Sequence, residues 1–395
     1  MPKGKFESTG YYGVVEDIID ADPRNLYTRS FMLIDAIRSE YFDREGELAI
    51  RERRGLALVR AMSTPRRWRE QFHLGEVAKG DWLSFELDDS GGIPRAWELR
   101  AENNYIADRH RSIKSMRRIS GVGAQLQNGD DELSKRLTSA TKIPRRKASQ
   151  VSAAAALQRL GSPGRIEIVV LDVGQASAAL IKRNGRPIGF FDVGAPIWFN
   201  KGSFPKIRPP LFDRRGFIIL SHWDFDHFDL GRRHDPYRNF YWFAPDQPVG
   251  PNTANFQFEL GRRLKFIDGS ATIGGFSLSR GMSTNPNDRN GTGYQLRYEE
   301  SARAVILTGD TPYDLIQTKM LDNVSALTMP HHAGRSDALP PRPDQSGPAI
   351  ASYGNPNFYR HPNAETLDLH KNQGWRIETT AATSTSLRGD RTLFP

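Results

Sequence analysis

From residue 221 the chain reads Ser-His-Trp-Asp-Phe-Asp-His-Phe-Asp, so His222, Asp224, Asp226 and His227 set four metal-ligating side chains within six residues. The apolar run Phe217-Ile218-Ile219-Leu220 stands directly before them. A buried strand ending there would fix the start of a tight loop. Alternation with Trp223 and Phe225 would send the polar groups one way and the aromatics into the packing, where they exclude water and lock ligand rotamers. Two further stretches deliver the same chemistry after apolar runs: Ala304–Asp310 ends on a carboxylate, and Met329-Pro330-His331-His332 ends on a pair of imidazoles. Taken singly, an Asp after a strand is usually a turn residue and a His pair usually a surface loop. Their weight comes from arriving together. The chain has no cysteine, so any metal rests on His and carboxylate donors, which suit zinc, manganese or iron.

The elements that would position these groups are short. Ile166–Leu171, Ala178–Lys182 and Pro187–Asp192 read as strands, with Asn184-Gly185 as a hairpin turn. Gly216–Ser221, Tyr294–Tyr298 and Ala302–Thr308 read as further strands, and Phe256–Phe266 and Asn363–Gln373 as helices. Strand-rich halves with helices between them fit two packed sheets covered by helices, an α/β arrangement. Composition divides the 395 residues into three zones. Residues 1–105 are mixed and β-rich. Residues 106–163 form a basic, then Ala/Ser-rich linker, carrying Arg109-His110-Arg111, Lys114, Arg117-Arg118 and Arg145-Arg146-Lys147 and ending at the breaker cluster Gly161-Ser162-Pro163-Gly164. Residues 164–395 hold the candidate site. No apolar run approaches the length of a membrane span, and the first residues lack an apolar signal core, so a soluble cytoplasmic protein without membrane contact is expected. The net charge of +9 favours polyanionic partners.

The ordered set of motifs resembles the metallo-β-lactamase superfamily, and most closely the β-lactamase-like domain of ComEC-type DNA-uptake proteins. It comprises Leu171-Asp172-Val173-Gly174-Gln175, Phe191-Asp192-Val193-Gly194, the His222–His227 loop, Leu307-Thr308-Gly309-Asp310, Pro330-His331-His332-Ala333-Gly334, Ser352-Tyr353-Gly354 and Tyr359-Arg360-His361-Pro362. The resemblance covers about residues 165–395. It implies an αββα sandwich with two divalent metal ions, Mn or Zn. His222 and Asp224 would hold one, Asp226 and His227 the second with a His of the 331–332 pair, and Asp310 would bridge. His332 is favoured over His331 because the superfamily ligand usually precedes a small residue. Asp226 would orient or deprotonate the attacking water, and His361 would donate to a phosphate oxygen or the leaving group. Arg335 would pair a phosphate, while Asp172 and Asp192 would support the site from behind. Asp224 replaces the second His of the commoner loop, and no histidine lies between His234 and His331. The first position is therefore oxygen-rich, which shifts preference from zinc toward manganese.

The N-terminal zone resembles, weakly, a cold-shock-type OB barrel, with Gly10–Val15 as first strand and Ala78–Leu87 and Pro94–Leu99 as a closing hairpin. Tyr11, Tyr12 and Tyr27 with Arg51, Arg53 and Arg54 would form a stacking and charge platform for single strands. These readings lead to a metal-dependent nuclease or phosphodiesterase acting on nucleic acid, DNA first. The rivals are a hydrolase of a small ester, thioester or lactam, and a catalytically idle nucleic-acid-binding or docking protein.

Overall fold

The computed structural model describes residues 8–20, 25–75, 77–103, 105, 107–120, 127, 129–144, 149–160, 163–205, 212, 216–301 and 303–394. The chain divides into two compact units, Met1–Pro144 with Pro248–Glu259, and Arg145–Gln247 with Leu260–Pro395.

The first unit is a closed antiparallel barrel. Its strands are β1 (Thr9–Asp20), β2 (Ser30–Arg38), β3 (Leu56–Ser63), β4 (Trp82–Asp88), β5 (Arg95–Arg100) and β6 (Ala107–Arg118), in the order β1-β2-β3-β5-β6-β4. Alternate residues fill it, among them Val15, Ile34, Val59, Leu83, Phe85 and Ile113. Helix Pro65–Phe72 is capped by Thr64, whose side chain accepts from the Arg67 N–H, and adds Trp68 and Phe72 to that core.

Three expectations for this unit are corrected. β4 and β5 do not pair as a hairpin: both pair with β6, which lies between them. Ala107–Arg118 is therefore a barrel strand and not a linker, and the same zone also holds helix Asp130–Ala140 and strand Ser149–Ser152. Its charges are matched at home: Lys114 pairs with Glu86, Arg117 with Asp130, Arg118 with Asp81, and Arg111 with Glu98 and Asp89. Residues 145–147 and the 161–162 breaker lie outside the described residues.

The third correction concerns the tyrosine platform. The period-2 alternation of β1 turns Tyr11 inward, where it stacks on Phe85 and donates to Glu98. Tyr12 donates to Asp43, Arg54 is held by Glu45 and Glu52, and Arg51 is held by Glu47. Tyr27 is exposed, with Arg66 over its ring.

The helical segment expected at 256–266 begins earlier and stops earlier, as helix Pro251–Leu260. Gly261, at φ +53°, ends it, and Leu264–Asp268 is a strand. Most of this helix belongs to the first unit. The buried Asp35 carboxylate of β2 accepts from the Asn252 N–H and Nδ2 at 2.8 and 2.6 Å and from the Thr253 N–H at 3.2 Å, so it caps the helix from the barrel wall.

The second unit consists of two sheets with helices outside them. One sheet has the order Arg391–Phe394, Ile166–Val170, Ala178–Arg183, Arg186–Val193, Phe217–Ile219, Tyr241–Pro245, Leu264–Asp268, Ser149–Ser152. The other runs Ala271–Ile273, Phe276–Arg280, Tyr294–Glu300, Arg303–Leu307, Val324–Thr328, Pro348–Ala351, Arg376–Thr379. Asn184 and Gly185, both at positive φ, form the two-residue hairpin turn expected there. Phe191, Ile219 and Phe243 of the first sheet share one core with Leu296, Val305 and Ile350 of the second. Helix Phe225–Arg233 covers the first sheet, and helix Ala364–Asn372, capped by Asn363, covers the second. The layers are therefore αββα, as expected. Each sheet has a parallel half, from Arg186–Val193 onward in the first and from Arg303–Leu307 onward in the second. The carboxyl ends of these strands deliver the candidate residues. Among the described residues no helix is long and apolar enough to cross a membrane.

Candidate metal centre

Strand Phe217–Ile219 leads through Leu220 into Ser221 and His222, and the chain then turns into helix Phe225–Arg233 with Asp226 in its first turn. Trp223, Phe225 and Phe228 are buried and pack on one another. The loop closes against the neighbouring strand through Gly194: a Cβ there would sit 1.7 Å from the Asp226 carbonyl oxygen. Only a glycine allows that approach. Strand Arg303–Leu307 delivers Asp310, and Val324–Thr328 delivers His331 and His332, the two segments being tied by the Thr308 hydroxyl donating to the Thr328 carbonyl. His331, His332 and Ala333 are all left-handed, at φ 51°, 55° and 59°. For non-glycine residues that costs about 1–2 kcal/mol each, and such strain persists where the surroundings over-determine it, often at functional sites.

The side chains converge. His227 Nε2 lies 3.0 Å from Asp310 Oδ1, His222 Nε2 3.8 Å from Asp310 Oδ2, and His332 Nε2 3.3 Å from Asp226 Oδ2. Two donor sets could each hold a cation: His222, His227 and Asp310, and Asp226, His227 and His332. His332 thus joins the cluster, whereas His331 stays at its edge, 40% exposed and 4.0 Å from Asp310.

The other ring nitrogens are already engaged. Asp192 accepts from the Ser221 N–H and Oγ and from His227 Nδ1 at 2.7–2.8 Å. Because the Ser221 hydroxyl donates to Asp192, it accepts from His222 Nδ1 at 2.9 Å. His332 Nδ1 donates to the Ser352 carbonyl at 2.7 Å. Each imidazole therefore turns a lone pair on Nε2 into the cluster. Those three Nε2 atoms are buried and make no hydrogen bond. Buried polar atoms left so are rare and call for a partner such as an ion.

Electrostatics agree. Burial opposes a charge on His227, yet the carboxylates of Asp310 and Asp192 hold its pKa well above the ordinary range. Burial likewise opposes ionisation of Asp310, and the charges on His227 and His331 hold it well below the carboxylate range. The cluster selects for positive charge, which a divalent cation would supply with the imidazoles neutral.

Asp192 reaches its position at a bulge, with φ +58°. Asp172 is no donor to the cluster. It is held by Arg388 and accepts from the Gly174 N–H. Arg335 is exposed. His361 stacks on His332 with ring centroids 6.0 Å apart. Gln175 accepts from the Gly354 N–H through Oε1 and so presents its amide N–H₂ to His361 Nδ1 at 3.1 Å. The proton of His361 then sits on Nε2. Burial, then the charges of His331 and His332, push its pKa well below the ordinary value, so it is neutral. Asp224 lies in neither donor set. Its Oδ2 is 3.4 Å from His222 Nε2, and its Oδ1 is 3.1 Å from Arg289 Nε. The loop Asn285–Gly291 carries that buried arginine, which its sequence surroundings did not distinguish.

No protein-family model matches the sequence, and no curated protein does. Among solved structures the chain is similar to the metallo-β-lactamase fold protein YhfI from Bacillus subtilis, at 14% identity over 58% of this chain and 100% of that one, with a TM-score of 0.34. It is also similar to Tm1679, a metal-dependent hydrolase of the β-lactamase superfamily, at 13% identity over 58% and 100%, TM-score 0.36. Zn²⁺-bound PqqB from Methylobacterium extorquens is similar at 11% identity over 57% and 99%, TM-score 0.34. At such identities the likeness concerns the fold alone.

Proposed function

We propose that the second unit is a metal-dependent hydrolase whose substrate is a phosphodiester of nucleic acid, DNA first. The observation that carries the hydrolase reading is the trio of buried Nε2 lone pairs meeting Asp226 and Asp310. Divalent cations held there would supply Lewis acidity toward an attacking water and a departing oxygen. The chain's own groups would do the rest. Burial opposes ionisation of Asp226, but His332 and His227 hold its pKa below the usual range, so it stays an anion able to ligate a cation or to orient the attacking water. Neutral His361, with its proton on Nε2, would donate to a substrate oxygen. The net charge of +9 supports a polyanionic substrate.

A second reading, hydrolysis of a small ester, thioester or lactam, draws on the internal ion pairing of β6, which spends basic side chains within the barrel. One assay separates the two. Labelled single- and double-stranded DNA and RNA are incubated with Mn²⁺, Zn²⁺ or EDTA, beside Asp226→Ala. Metal-dependent cleavage lost in the variant supports the nuclease. Turnover of a small ester or lactam with no nucleic-acid cleavage supports the second reading. Salt-sensitive binding with no turnover overturns both.

A further inference from the structure

The two donor sets share His227, whose Nδ1 is taken by Asp192. One Nε2 lone pair can serve one cation. If His227 serves with Asp226 and His332, a cation on the other side has His222 and Asp310 and needs one more donor. The nearest carboxylate is Asp224, 3.4 Å from His222 Nε2.

Asp224 is held in place from the Asn285–Gly291 loop. Arg289 is 7% exposed at its side chain, and its Nε lies 3.1 Å from Asp224 Oδ1 while its Nη1 donates to the Trp223 carbonyl at 3.0 Å. Gln247 completes the hold from the opposite side of the same residue. Its Oε1 accepts from the Trp223 N–H at 3.2 Å, and its Nε2 donates to the Arg289 carbonyl at 2.8 Å. The loop also reaches the residue after Asp310, for Thr311 Oγ1 donates to the Asn290 carbonyl at 2.7 Å. One loop therefore fixes the segments on both sides of His222.

We infer that Arg289 is a positioning residue for the candidate metal centre: by holding Asp224 Oδ1 and the Trp223 carbonyl together, it aims Asp224 Oδ2 at the cation position beside His222, so that binding of the second cation depends on this loop. The guanidinium sets its charge beside Asp224 Oδ1 as an ion pair while its Nη1 N–H is committed to the Trp223 carbonyl, a placement that the point charge of an ammonium does not reproduce.

The inference rests on the metal reading above, and the test keeps the two apart. Stepwise affinities for Zn²⁺ and for Mn²⁺ are measured by chelator competition on wild type, Arg289→Met and Arg289→Lys, with thermal melts of the metal-free proteins beside them. Wild type holds two equivalents. Both variants bind one equivalent within about twofold of wild type and the other at least tenfold more weakly, the scale seen when a ligand loses its supporting partner. Should Arg289→Met fail to fold, Arg289→Lys carries the test. Two equivalents bound with wild-type affinity in the folded variants overturn the role of Arg289. So does equal weakening of both equivalents, which marks a general structural effect. A wild type that binds no divalent cation overturns the metal reading itself.

Discussion

Asp192→Asn tests how the cluster is tuned. Asp192 is fully buried and accepts three hydrogen bonds, from the Ser221 N–H, the Ser221 hydroxyl and His227 Nδ1, at 2.7, 2.8 and 2.8 Å. Asparagine tolerates the left-handed backbone at this bulge as aspartate does, so the fold is kept. Its carbonyl can still take the Ser221 N–H. Its amide N–H₂ then faces two groups that both donate in the wild type. The serine hydroxyl can rotate. The imidazole can comply only by moving its proton from Nδ1 to Nε2, and that withdraws the lone pair offered to the cation. Loss of such a carboxylate–imidazole partner costs about 10- to 100-fold in metal affinity, or about 1.4–2.7 kcal/mol. The assay is a chelator-competition titration with Zn²⁺ or Mn²⁺, with a melt of the metal-free protein beside it. Wild-type affinity in a folded Asp192→Asn variant would refute the claim that Asp192 sets the tautomer of His227.

Other perturbations follow from the same geometry. Gly194→Ala drives a Cβ into the Asp226 carbonyl at 1.7 Å, so it should destabilise by more than about 4 kcal/mol or prevent folding, read by soluble yield and urea melts. Asp35→Ala leaves the buried Asn252 and Thr253 backbone N–H groups without their side-chain acceptor, while Asn252 Nδ2 keeps the Ala36 and Ala57 carbonyls. At about 1–3 kcal/mol for an unsatisfied buried group, a loss of about 3 kcal/mol is expected in chemical denaturation, and a change under about 0.5 kcal/mol would count against the cap. His331→Ala, at the half-exposed edge, should change cation affinity less than about threefold, whereas His332→Ala should weaken it at least tenfold in the same titration.

Much of the second unit was legible in the sequence, because each donor segment follows a short apolar strand and a parallel half-sheet gathers such strand ends at one edge. His222, Asp226, His227, Asp310 and His332 meet for that reason. Arg289 was not legible: an arginine in an Asn/Asp/Gly-rich loop looks like any surface residue until the fold lays it against Asp224. The barrel was read less well, because its pairing is non-local. β4 and β5 are neighbours in sequence and look like a hairpin, but β6 arrives later and pairs with both. Tyr11 looked like a surface aromatic because its neighbours Tyr12 and Gly10 are polar or small, yet the two-residue period buries it. Helix Pro251–Leu260 lies among second-unit residues in sequence, but most of it belongs to the barrel unit, held by Asp35 from more than 200 residues away.

The most direct test is elemental analysis of the purified protein after loading with Zn²⁺ or Mn²⁺ and removal of free ion, for wild type, His222→Ala and His332→Ala. Two equivalents in the wild type and about one in each variant are expected, since each variant removes one donor unique to one set. Less than one equivalent in the wild type, or unchanged occupancy in both variants, would contradict the account.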